Sequence, residues 1–133
     1  MSQLVRDAMV SEPLALDVSA SAQEAGESLA RPEVRAVLVC EDGRLVGVIT
    51  RNTLVREVVA AGRDPATTRV GEIAEPPNHT IASDMPLDEA FAELELLDLE
   101  RGPVVDNGRL AGVLSRAVLR RRLAEDEPPP DEL

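Results

Sequence analysis

The sequence predicts an α/β (α+β) fold assembled from two tandem copies of one unit, and three observations carry that prediction. First, Gly43-Arg44-Leu45-Val46-Gly47-Val48-Ile49-Thr50-Arg51 returns as Gly108-Arg109-Leu110-Ala111-Gly112-Val113-Leu114-Ser115-Arg116, an offset of 65 from position 43 to 108. Second, the same offset, with no gap, aligns Val5 with Val70, Glu24-Ala25 with Glu89-Ala90, Leu29 with Leu94, Val39 with Val104, Leu54 with Leu119 and Arg56 with Arg121. Roughly a dozen identities in about 55 aligned positions is several times the chance level, which marks an internal repeat. Third, short apolar runs bounded by Asp-Gly or Asn-Gly turns alternate with segments of helical spacing. Each copy therefore reads as a leading helix followed by β-α-β-β-α.

Residues 3–9 read as the first leading helix, with Leu4, Val5, Ala8 and Met9 on its inner side. Pro13 ends that region, and Leu14-Ala15-Leu16 is extended. Ser21 and Glu24 have the spacing of a capping box, in which hydroxyl and carboxylate satisfy free backbone N–H groups. The helix they open carries Ala22, Ala25 and Leu29 and stops near Pro32. Residues 36–40 are continuously apolar and predict a buried central strand. Asp42-Gly43 is a hairpin-turn pair, and Leu45 to Ile49 returns beside the first strand. Thr50 caps a helix running to about Ala61, with Leu54, Val55, Val58 and Val59 towards the core and Gly62 as its stop. The first repeat thus spans 1–62, a linker 63–69 and the second repeat 70–124, with Asn107-Gly108 as its hairpin turn. Residues 125–133 are acidic and Pro-rich without apolar periodicity and are expected to be disordered. Two strands and two helices cannot bury both faces alone, so the copies are expected to pack around a pseudo-two-fold axis.

At 133 residues the chain suffices for one domain with a substantial core. Phe91 is its only Phe, Tyr or Trp, so that core must be aliphatic. A net charge of −11 excludes a binder of phosphate backbones, which needs a basic face to release counterions. A single aromatic cannot build a base-stacking platform. Nucleic acid is thereby excluded, whereas a small nucleotide needs only a few local arginines. No run reaches the length of a membrane helix, and the N-terminus lacks the pattern of a secretory signal, so the expected compartment is the cytoplasm. With one Cys (Cys40) and one His (His79), neither a disulfide framework nor a zinc site of nitrogen and sulfur ligands is available. Cys40 reads as a buried inert thiol, His79 as a surface-loop residue, and Asp98 and Glu100 as exposed helix charges. Without a Ser-His-acid or Walker pattern the chain is not expected to be an enzyme.

The repeated Gly-Arg-Leu-x-Gly-Val-x-Thr/Ser-Arg segments, with Val5-Arg6-Asp7-Ala8-Met9 before them, resemble the strand-turn-helix core and opening helix of the cystathionine-β-synthase (CBS) domain family. The linker from Ala60 to Pro65, followed by Val70-Gly71-Glu72-Ile73, resembles that of stand-alone tandem members. The resemblance implies a Bateman module, a homodimer that requires no cofactor and takes an adenosyl ligand (AMP, ADP, ATP or S-adenosylmethionine) in the cleft between repeats. Lacking an attached effector domain, it would signal to a separate protein. The family's ligand pattern is Gly-x-x-Thr/Ser-x-x-Asp/Asn, whose hydroxyl meets phosphate and whose last residue holds the ribose. Thr50 and Ser115 occupy the hydroxyl position, but Thr53 and Val118 stand where the carboxylate or amide belongs. Arg101, before Gly102-Pro103-Val104, matches the basic residue that many nucleotide-binding members carry ahead of the strand. Arg51 and Arg116 lie in the first helical turn, where the helix dipole disfavours a cation unless an anion is near. The expected ligand residues are Thr50, Arg51, Thr53, Arg101, Ser115 and Arg116. The competing expectation is a ligand-free interaction or dimerisation scaffold whose nucleotide sites have decayed.

Overall fold

The computed structural model describes residues 3–11, 15–77 and 79–126; the expectations attached to Pro13, Leu14 and residues 127–133 of the tail lie outside the described residues, whereas positions 125 and 126, expected in that tail, still belong to the last helix. The chain forms two compact units, which do not coincide with the two repeats. Unit I comprises residues 13–78 and 108–110, and unit II residues 1–12, 79–107 and 111–133.

Unit I contains β1 (Ala15–Asp17), α2 (Ala22–Leu29), β2 (Val37–Glu41), β3 (Arg44–Ile49), α3 (Arg51–Leu54), a π-helical turn (Val55–Val59) and α4 (Val70–Ile73). Parallel pairing sets Ala15 of β1 beside Leu38 of β2, and antiparallel pairing sets Val37 beside Ile49 of β3. The hairpin turn is as the sequence predicts. Asp42 and Gly43 both have positive φ (51° and 81°), the geometry whose twist matches two antiparallel strands. The Ser21 capping box also forms: Glu24 N–H donates to Ser21 Oγ at 3.2 Å, and Ser21 N–H to Glu24 Oε2 at 2.8 Å.

Unit II contains α1 (Val5–Ala8), β4 (Ile81–Ala82), α5 (Leu87–Leu96), β5 (Arg101–Asp106), β6 (Arg109–Ser115, its tip in unit I) and α6 (Arg116–Asp126). β4 runs parallel to β5, with Ile81 opposite Val104. Positions related by the offset of 65 bury alike: Val5 and Val70, Ala25 and Ala90, and Val39 and Val104 are all fully buried. Asn107 and Gly108 repeat the turn with φ of 54° and 83°.

Each leading helix packs in the unit of the opposite repeat. In unit II, Val5 N–H donates to the Met85 carbonyl at 2.9 Å and Arg6 N–H to that of Ser83 at 3.0 Å. In unit I, 65 residues along, Val70 N–H donates to Ala20 at 2.8 Å and Gly71 N–H to Val18 at 3.0 Å. The chain leaving each helix then lies against the second glycine of the repeated motif. A Cβ on Gly47 would sit 2.6 Å from Ala74 Cβ, and one on Gly112 would sit 2.6 Å from the Val10 carbonyl oxygen. These two glycines are required by close approach and not by backbone angle.

The helix after Thr50 departs from expectation. It is α-helical only through Leu54, continues as a π turn, and buries Val58 while leaving Val55 57% and Val59 72% exposed. Leu54 and Val58 lie four residues apart on one face. Val55 and Val59 fall about 100° round the helix, beyond what the sheet covers. Gly62, with φ of 70°, ends the segment as predicted.

Candidate functional site

Five of the six expected ligand residues lie at the start of the last helix of a repeat, and the sixth, Arg101, lies at the start of β5. Thr50, Arg51 and Thr53 belong to unit I; Arg101, Ser115 and Arg116 belong to unit II.

At the first start, strand β3 delivers Thr50 in extended conformation (φ −115°, ψ 175°), the geometry of an N-cap residue. Its hydroxyl oxygen accepts from Thr53 N–H at 3.3 Å, while Thr50 N–H donates to Thr53 Oγ1 at 3.0 Å and the two hydroxyls lie 3.1 Å apart. Thr53 is fully buried. A threonine at the third helical position therefore performs the reciprocal half of a capping box, a role usually given to Glu or Gln. Arg51 is exposed and its guanidinium donates to the Arg31 carbonyl at 2.8 Å. That carbonyl lies just beyond the C-terminus of α2, where a cation is favoured.

At the second start the cap is one-sided. Val118 N–H donates to Ser115 Oγ at 3.4 Å, and valine has no group to return the bond. Arg116 is 15% exposed by side chain and is held by Glu100 through a charge-assisted hydrogen bond and by Asp98 at 3.6 Å. Its backbone N–H donates to the Glu100 carbonyl at 2.8 Å, whereas its Nε is buried without a protein acceptor. Arg101 is exposed at the start of β5. The following Gly102 is needed for packing, since a Cβ there would sit 2.8 Å from Ile81 Cδ1.

Sequence reasoning missed the arginine partners. Asp98 and Glu100 are exposed, as expected, yet together they clamp Arg116. The one available signal was the repeat itself: position 100 is Glu where its equivalent, position 35, is Arg, whereas Asp98 has an acidic equivalent in Glu33. His79 is also more than a loop residue. Its ring is 23% exposed, with Nε2 2.9 Å from Glu93 Oε2 on α5. Cys40 is half-buried, and burial, reinforced by the Asp17 carboxylate, raises its thiol pKa, consistent with an unreactive thiol.

Two α/β repeats with hydroxyl-capped terminal helices and exchanged leading helices define a tandem-repeat architecture. The chain belongs to the CBS domain family, whose profile matches residues 5–60 and 70–125. Hypoxic response protein 1 of Mycobacterium tuberculosis is 29% identical over 102 residues, covering 76% of this chain and 71% of that protein. The CBS domain-containing protein YhcV of Bacillus subtilis is 27% identical over 111 residues, covering 84% of this chain and 79% of the relative. Among solved structures, Hypoxic Response Protein I with two coordinated zinc ions superposes with a TM-score of 0.75 at 26% identity, covering 90% of this chain and 98% of its own. CBSX2 in complex with AMP gives 0.72 at 25% identity, covering 92% and 96%. Among the described residues of the present chain, no three His, Cys, Asp or Glu side chains are grouped to hold a metal ion. No helix among them is long and apolar enough to cross a membrane.

Proposed function

We propose that the protein is a non-catalytic cytoplasmic regulatory module that senses an adenosyl ligand, AMP, ADP, ATP or S-adenosylmethionine, and passes its occupancy to a separate effector protein as a homodimer. The observation that carries this reading is the preserved hydroxyl-and-arginine pair at both helix starts, in a chain whose relative CBSX2 is an AMP complex. Thr50 and Arg101 are the principal contacts in this reading, one hydroxyl and one exposed cation suited to phosphate. Arg51, Thr53, Ser115 and Arg116 support them: the two threonines act as one cap, and Arg116 presents what its two carboxylates leave unused. Binding shifts the population of conformations by its differential affinity and needs no chemistry.

A second reading, the ligand-free scaffold, is favoured by one observation. Thr53 is buried with its hydroxyl turned to Thr50, and Val118 has no polar group, so neither repeat offers a carboxylate to a ribose. Thermal shift and calorimetry with AMP, ADP, ATP and S-adenosylmethionine separate the two. A ligand at a hundred times its dissociation constant stabilises by about 2.7 kcal/mol, and Thr50→Ala and Arg101→Ala are expected to weaken it. Silence from all four at millimolar concentration sinks the sensor; undiminished affinity in both variants sinks the site assignment.

A further inference from the structure

We infer that the ligand's phosphate is read in unit II alone, with Arg121 as a contact beside Val10 and Ser115, and that the ligand is a nucleotide rather than S-adenosylmethionine. The inference rests on the sensor reading above. It adds the charge class of the ligand and a residue outside the six already named.

The two units build the same corner around their hydroxyl caps. In unit I, Val48 N–H donates to the Glu75 carbonyl at 2.8 Å and Glu75 N–H to that of Val48 at 3.0 Å. Val113 and Val10, their equivalents in unit II, exchange the same two bonds at 3.0 and 2.9 Å. Residues directly opposite in an antiparallel pair share a face, as do residues two apart along a strand. Glu75 thus lies on the face of Val48 and Thr50, and Val10 on that of Val113 and Ser115. Arg56 and Arg121 each stand six residues beyond the cap. Each lies between two residues that pack on its own core, Leu54 and Val58 in unit I and Leu119 and Leu123 in unit II. The helix therefore presents both arginines in the same register.

The corners differ in charge. Arg56 is paired with Glu75 and lies 3.8 Å from Glu57, so unit I supplies its own anion and turns a carboxylate towards any incoming phosphate. Unit II replaces that carboxylate with Val10, which is 58% exposed. Arg121 is exposed, and among the described residues no carboxylate pairs with it. The hydroxyls differ in the same sense. Those of Thr50 and Thr53 lie 3.1 Å apart and serve each other, whereas Ser115 Oγ accepts one N–H and keeps its proton to donate. Beyond the other edge of β6, on the β5 side, Arg116 is already held by Glu100 and Asp98. Arg121 therefore brings a second uncommitted cation to unit II beside the exposed Arg101, and a guanidinium fork matches phosphate oxygens. The sulfonium and ammonium of S-adenosylmethionine gain nothing from two arginines.

Calorimetric titration of the full chain with AMP, ATP and S-adenosylmethionine tests the inference. ATP is expected to bind more tightly than S-adenosylmethionine. Arg121→Gln, and Val10→Glu, which installs unit I's carboxylate, are each expected to weaken ATP about 10-fold or more, with the melting temperature of the unliganded chain unchanged. Arg121→Lys keeps the charge and retains part of the affinity. Arg56→Gln, the matched change in unit I, is expected to alter ATP affinity less than about twofold. S-adenosylmethionine binding more tightly than ATP, undiminished ATP affinity in Arg121→Gln, or an equal loss in Arg56→Gln overturns this inference alone. A parent chain silent to all three ligands at millimolar concentration overturns the sensor reading and this inference with it.

Discussion

The helix starts at Thr50 and Ser115 occupy equivalent positions of the repeat, each with a hydroxyl that accepts from the N–H three residues on, and differ in how they are closed. At Thr50 the cap is reciprocal: two threonines satisfy two backbone N–H groups and each other. At Ser115 a single bond runs one way, and the neighbouring arginine is held by Glu100 and Asp98 instead. One start is closed by hydroxyls and leaves its arginine exposed on a carbonyl; the other is half-capped and clamps its arginine with carboxylates. The polar closure of this corner thus rests on the third helical residue in one repeat and on the preceding loop in the other.

Substitutions break or sharpen that comparison, and the largest effects test what the two halves share. Leu29→Ala and Leu94→Ala remove equivalent buried side chains and should each cost about 3 kcal/mol in urea unfolding; costs differing by more than about 1 kcal/mol break the equivalence of the cores. Gly47→Ala and Gly112→Ala force a methyl against Ala74 or the Val10 carbonyl and should cost about 1–3 kcal/mol each. Thr53→Val converts the first cap into the second type and should lose about 1 kcal/mol, with Val118→Thr recovering a smaller amount in unit II. A Thr53→Val variant as stable as the parent shows that the reciprocal bond contributes nothing. Glu100→Gln should lose about 0.5–1 kcal/mol, a loss that 1 M salt diminishes.

The smallest expected effect is an acid dependence. Glu72 accepts from Arg69 N–H and from Arg63, and Asp17 from the hydroxyl and N–H of Ser19; both carboxyl groups are thereby held below their ordinary pKa. A lowered folded-state pKa stabilises above the unfolded-state value and is lost as pH falls through the folded one. Both groups lie in unit I, so its melting temperature should fall below about pH 4, and Glu72→Gln together with Asp17→Asn should flatten that fall. An unchanged acid limb in the double variant removes these carboxylates as its cause.

What the sequence discloses is what is local. The Asp42-Gly43 and Asn107-Gly108 turns, the Ser21 capping box and the Gly62 stop each depend on residues within four positions, and each forms as read. The constant offset extends that reading to the core, because an aligned pair such as Val39 and Val104 must meet the same environment. Contacts between distant segments are not legible this way. Nothing within the helix tells Val58 from Val59; the width of the sheet beneath decides which is covered. Glu100 reaches Arg116 across 16 residues and His79 reaches Glu93 across 14, through geometry that spacing does not encode. In the candidate site the hydroxyl caps are legible, whereas the burial of Thr53 and the clamp on Arg116 are not.

The exchange of leading helices also sets an order of events during synthesis. α4 is made after β1, β2 and β3, so its docking site on Val18 and Ala20 already exists when it emerges. α1 is made before the residues that cover Val5, which run from Ile81 to Leu119. At about 5–20 residues per second, α1 waits on the order of 5–20 s with Val5 and Ala8 uncovered. The two units are thus completed in sequence, and the one that contains α1 closes second.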